Sequence, residues 1–194
     1  MGSARLPRAQ RREQIMVAAA SAFVRTGFDA TSMDDVARAA GITRLIVYRI
    51  FESKYELYAA VLSEVADDIA AAFDPLPLSG TVSAAVLRVA RRHPDAFRLL
   101  WRHAATEPEF SDFAAVFRAS AYNFTEGLLA EQIADPVMRH WTARSVLGYL
   151  YEGVCLWLDD GERARDDEVA KALSIGMHAI IGARHVASPV VVPD

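Results

Sequence analysis

Arg44 and Arg49 stand five positions apart, with Leu45, Ile46 and Tyr48 among the residues between them and Thr43 just ahead. A guanidinium carries parallel N–H groups that can reach guanine O6 and N7 together, worth roughly 1–3 kcal/mol of discrimination against a wrong base. Leu45 and Ile46 can touch a thymine methyl but cannot hydrogen-bond a base edge. Ser32, at a predicted helix N-terminus, can offer its hydroxyl and nearby backbone N–H groups to a phosphate. Each has a plainer reading: a solvated surface charge for Arg44 or Arg49, a simple helix cap for Thr43. Competing chemistry is not laid out. His93, His103, His140, His178 and His185 are scattered, with no HExxH pair, no paired carboxylates on a helix and no glycine-rich phosphate loop. No catalytic residue, metal or cofactor is expected; an enzyme, or a helical interaction module without DNA binding, is the alternative reading.

The elements that would carry these side chains follow from residues 31–57, TSMDDVARAAGITRLIVYRIFESKYEL. Ser32 and Asp35 have the spacing of a capping box, and Met33, Val36 and Ala37 share one apolar face. Small Ala37 lets a second helix cross closely. Gly41 follows ARAA, where a helix end needs a residue that tolerates the left-handed conformation. Thr43 is placed to cap the second helix, with Val47, Ile50 and Phe51 turned inward. Ser53 and Glu56 open a third helix. Two short helices joined by a tight turn form a helix-turn-helix, which lays its second helix in the major groove of DNA.

The stretch from about Gln14 to Leu57 resembles the DNA-binding domain of the tetracycline-repressor (TetR) family. The matching residues are Ile15, Ala18, Ala19, Phe23, Gly27, Phe28, Thr31, Ser32, Val36, Ala37, Ala40-Gly41-Ile42, Tyr48, Phe51, Ser53-Lys54 and Leu57. Roughly a quarter of the chain is covered; the remainder is similar only in length and helical pattern. The resemblance implies an all-α fold: an N-terminal three-helix DNA-binding domain, then a helical ligand-binding and dimerisation domain. It makes Thr43, Arg44, Leu45, Ile46, Tyr48 and Arg49 the groove-facing candidates, and places Tyr48 and Lys54 where the family contacts phosphate. Leu45 and Ile46 depart from the small or polar residues common there, and Ile50 replaces a frequent histidine. Those departures leave the base code open.

Charge supports the same orientation. Residues 1–57 hold nine basic against six acidic side chains, residues 58–194 twelve against nineteen. A basic end on an acidic body turns the chain toward phosphate. Arg5, Arg8, Arg11 and Arg12 suggest that residues 1–9 form a basic arm, or else a solubilising leader. Hydrophobic residues make up 53% of the 194, enough for a packed core. No apolar run reaches the ~18 residues of a membrane span, and no long apolar segment follows the arginines as in a signal peptide. The single Cys155 reads as a small core residue and suggests a reducing, cytoplasmic setting. Scarce lysine beside abundant arginine and alanine hints at a GC-rich bacterial genome.

Beyond residue 57 the punctuation predicts further helices over about 81–92, 95–106, 108 or 111 to 133, 136–158 and 166–184. Pro75–Gly80 is a break, 58–188 the second domain and 189–194 a loose tail. One groove-reading helix covers few base pairs, so a homodimer on a palindromic site is expected. Gly148, Val169, Leu173, Gly176, Met177 and Ile180 are the candidate dimer contacts. Apolar residues nearly all round the helix holding Gly148 call for partners on two sides. Aromatic residues are dense over 97–157, and the family binds small molecules between helices there. Phe97, Trp101, Phe113, Phe117, Asn123, Tyr149 and Glu152 are the candidate contacts for a largely apolar effector, although an aromatic at helical spacing is commonly core.

Overall fold

The computed structural model describes residues 6–73 and 82–182, and among them every regular element is helical. In order these are α1 (Arg8–Ala30), α2 (Met33–Ala39), α3 (Arg44–Tyr48), α4 (Lys54–Ala71), α5 (Val82–Arg92) and α6 (Pro94–Arg98). A wider turn over Leu99–His103 continues α6, followed by α7 (Ser111–Leu129), α8 (Pro136–Asp160) and α9 (Asp166–Gly182). The described residues fall into two compact units, drawn from Met1–Pro75 with Val89–Ala115 and from Leu76–Arg88 with Val116–Asp194. The unit holding the helix-turn-helix is therefore larger than residues 1–57. The proline-rich break and the 189–194 tail lie outside the described residues.

The first unit is built on an aromatic cluster. Phe28 of α1 and Tyr55 and Tyr58 of α4 surround Phe110, whose ring stacks on Tyr58 at 4.2 Å and meets Phe28 edge-on at 5.0 Å, and Phe23 of α1 packs edge-on to Tyr58 behind them. Phe23, Tyr58 and Phe110 are fully buried. Such contacts favour edge and offset geometries, which fix the angle between α1 and α4 more tightly than aliphatic packing would. Burial first, and the charge of Glu107 second, push the Tyr58 phenol upward.

Gly27 breaks α1 with φ 79° and ψ 170°, a region open essentially to glycine alone. The turn it makes is clamped on both sides of the following residue. The Phe28 N–H donates to Glu107 Oε1 (3.0 Å), and the Phe28 carbonyl accepts from Lys54 Nζ (2.6 Å).

In the second unit α9 lies along α8. Ala170, Leu173 and Met177 are buried there, and Tyr149 of α8 covers Gly176. Ser83 of α5 donates from its buried hydroxyl to the Ala170 carbonyl at 2.6 Å.

Candidate nucleic-acid interface

Local chemistry sets the helix-turn-helix. Ser32 Oγ accepts from the Asp35 N–H (3.2 Å) while Asp35 Oδ2 accepts from the Ser32 N–H (3.0 Å), so the predicted capping box is complete. The Ser32 hydroxyl also donates to Asp35 Oδ2 at 2.6 Å. These Ser32 bonds, with help from Arg38, hold the Asp35 carboxyl down at about 2. Gly41 takes φ 65° and turns the chain so that the Ile42 N–H reaches the Ala37 carbonyl (3.0 Å). Gln14 of α1 donates to the Ala40 carbonyl at 2.7 Å, tying the turn to the first helix.

The second helix of the motif is short and sits on a narrow anchor. Val47 and Phe51 are buried, and Ile50 is half-buried. Thr43 occupies the N-cap position, but its side chain makes no capping hydrogen bond; that expectation is corrected. Its hydroxyl is exposed instead. Thr43, Arg44, Leu45, Tyr48 and Arg49 are all exposed and Ile46 is half-buried. Leu45 keeps 63% of its surface open, which no packing role explains. Together these residues make an exposed row along α3.

The two arginines differ. Arg44 Nη1 pairs with Asp34 Oδ2 at 2.9 Å, Nη2 donates to the Tyr48 hydroxyl at 3.3 Å, and the guanidinium lies over the Tyr48 ring at 5.1 Å. Arg49 has no side-chain partner among the described residues.

Three expectations change here. Lys54 Nζ is held by the Phe28 and Asp29 carbonyls (2.6 and 3.1 Å) and over the Phe28 ring, so its charge closes the end of α1. Ser32 has its hydroxyl committed to Asp35, and the start of α2 already carries the carboxylates of Asp34 and Asp35. Residues 8 and 9 belong to α1 rather than to an arm. Arg11 bonds Gln14, and Arg12 bonds Glu64 while stacking on Phe51; residues 1–5 lie outside the described residues.

Several C-terminal candidates also move. Phe97 is buried in the first unit, and Trp101 and Phe113 there are half-buried. Phe117 packs edge-on to buried Tyr151 in the second unit, where Asn123 is exposed, Tyr149 39% exposed and Glu152 half-buried. The three cavities detailed among the described residues all belong to the first unit and are lined by none of these seven. The most enclosed of them, beside His93 and Met16, holds about 60 Å³, far below the several hundred Å³ of a ligand site. Of the dimer candidates, Leu173 and Met177 are buried under α8 within the chain and Gly176 is covered by Tyr149. Leu173 and Met177 thus have little surface to offer a second subunit, whereas Gly176 stays half-buried. Gly148 has open space beside it, and Val169 and Ile180 are half-exposed. No group of three or more potential ligands gathers to hold a metal among the described residues, and no described helix is long and apolar enough to cross a membrane.

The family described as bacterial regulatory proteins, tetR family, matches residues 15–61, the segment that builds this face. Over residues 15–61 the chain is similar to the tetR family. The HTH-type transcriptional activator FasR of Mycolicibacterium smegmatis is 45% identical to this chain over 65 residues, 34% of this chain and 30% of that protein. The likeness thus spans under a third of the curated relative. A TetR-like transcriptional regulator from Rhodococcus sp. RHA1 shares the fold at a TM-score of 0.71 and 23% identity, over 95% of this chain and all of that one. AibR, solved with isovaleryl coenzyme A and operator DNA, has a TM-score of 0.63 at 20% identity, over 84% of this chain and 96% of its own.

Proposed function

We propose that this regulator binds a palindromic DNA operator as a homodimer in the cytoplasm, acts as a repressor, and is released by a small, largely apolar effector. The observation that carries the reading is the exposed row on α3: Thr43, Arg44, Leu45, Tyr48 and Arg49 face outward while Val47 and Phe51 anchor the helix from behind. Pairing is supported by apolar surface left open on the second unit, Val137, Met138, Trp141 and Leu156 of α8 with Ile175 of α9. Exposed apolar surface of that kind marks an interaction site. For the effector, Phe117, Tyr149 and Glu152 remain the second unit's contacts of mixed polarity. A short branched-chain acyl group of the kind carried by isovaleryl coenzyme A, with which AibR was solved, is the first probe of the apolar part, tested both as the free acid and as the anionic coenzyme A thioester.

A duplex selected from random DNA by the purified protein should carry a palindrome. Binding should weaken steeply with salt, because cationic contacts release counterions from phosphate. Tyr48→Ala with Arg49→Ala should abolish the shift, while Lys54→Ala should chiefly lower stability. Retention of full affinity by the Tyr48/Arg49 variant would remove α3 from the account. A ligand-free and ligand-bound comparison should differ about 5- to 150-fold in operator affinity; identical affinities would dismiss the probe as an effector. Expression of a reporter behind the selected site, with and without the protein, decides between repression and activation. An enzyme would show turnover surviving the loss of DNA binding.

A further inference from the structure

We infer that Asp34, at the start of α2, is a positioning residue that holds Arg44 for base recognition and so sets the regulator's sequence specificity. The inference rests on the DNA-binding reading above. Arg44 is fixed at two points, by Asp34 Oδ2 on Nη1 (2.9 Å) and by the Tyr48 hydroxyl on Nη2 (3.3 Å). Its side chain is nevertheless 58% exposed and that of Asp34 51%. A guanidinium has five N–H donors, so two fixed donors leave three to offer outward. Reading guanine needs two donors presented together at a set angle, and a guanidinium anchored from behind gives that angle at little entropic cost. The other outward arginine lacks any such support. Arg49 has no side-chain partner among the described residues, which suits a mobile charge that follows phosphate.

Charge points the same way. Paired with a carboxylate, Arg44 adds almost no net charge to the face, so its value to binding lies in hydrogen-bond direction rather than in attraction to the backbone. An exposed pair of this kind is worth less than about fivefold in an equilibrium constant, whereas a good bidentate contact to guanine is worth roughly 5- to 150-fold. The pair therefore orients the side chain without withholding it from a correct base.

Asp34→Ala tests this on the full-length protein, with the operator selected by wild type and a scrambled duplex of equal length. Affinity for the operator should fall about two- to fivefold, while affinity for the scrambled duplex should hold or rise up to about twofold. Preference should weaken at one base pair in each half-site, the pair that also loses preference in Arg44→Ala. Asp34→Asn, which keeps an acceptor oxygen, should fall between. In an Arg44→Ala background Asp34→Ala should no longer change the ratio of operator to scrambled binding. Equal losses on both duplexes, unchanged base preference, tighter operator binding, or an effect surviving without Arg44 would each overturn the assignment. If wild type itself bound neither duplex, the DNA-binding reading would fall and this inference with it. Binding by wild type with an intact ratio in Asp34→Ala would sink the inference alone.

Discussion

The turn around α2 and α3 and the pairing of α8 with α9 are held by opposite means. In the first, nearly every element boundary is closed by a polar contact: Ser32 with Asp35, Gln14 with the Ala40 carbonyl, Ser53 Oγ with the Glu56 N–H. In the second, burial does the work. Val146, Leu150, Val154 and Cys155 of α8 are covered, as are Leu173 and Met177 of α9, while Val137, Trp141, Leu156 and Ile175 leave apolar surface outside among charged neighbours. A surface framed by directional bonds is specific in angle and cheap to expose. One framed by dispersion and water exclusion is adhesive and stays exposed only at a cost.

Charging the adhesive side gives the largest expected effect. Trp141 is 56% and Ile175 71% exposed, so Trp141→Asp with Ile175→Asp should leave the chain folded, halve the particle mass by light scattering, and weaken operator binding at least about 100-fold through loss of the second reading head. Leu173→Asp should instead unfold the second unit. A double variant that keeps its dimer mass would show that these residues do not pair subunits.

Next come changes inside each unit. Phe23→Ala, which removes a fully buried ring from the cluster around Phe110, should cost about 3–5 kcal/mol in urea unfolding. Gly27→Ala should cost about 1–3 kcal/mol from backbone strain at its positive φ. The added methyl meets Glu107 Oε1 only at an ordinary 3.5 Å, so the cost should persist in Gly27→Ala with Glu107→Ala.

Smallest is the helix cap. Ser32→Ala should lower stability by about 1 kcal/mol and move the Asp35 carboxyl up from about 2 toward 3.8 in an NMR titration. Because the folded state depresses this carboxyl, its contribution is fully present above pH 3.8 and fades as pH falls toward 2. An unmoved titration in Ser32→Ala would mean that Arg38, not the cap, sets the value.

The same contrast explains what could be read without coordinates. Ser32, Asp35, Gly41 and Ser53 act within a few residues of themselves, so their roles are written in short spacings. Ser53 caps α4 as its spacing predicts, while Glu56 turns its carboxylate to the Glu52 N–H. Lys54 and Asp34 were misjudged or passed over because their partners lie 26 and 10 residues away, a distance local pattern does not encode. Phe110 and Glu107 sit among aromatics of the C-terminal part in sequence but belong to the unit that holds the helix-turn-helix. No punctuation marks that transfer, since the two boundaries that enclose Val89–Ala115 fall within α5 and α7 rather than between helices. On α8 an apolar residue at every angle told that partners exist but not which side each would take. On α9 the apolar stripe that includes Leu173 does not say whether α8 or a second subunit covers it, and Leu173 packs at Gly153 of α8.

The grip on Phe28 turns one peptide group into a clock. Its amide hydrogen is shielded by Glu107, a side chain 79 positions away, so exchange with solvent at that single nitrogen must wait until the 107–110 stretch lifts off the end of α1. Deuterium uptake at Phe28 would thus time the parting of those two segments, separately from the fraying of either helix.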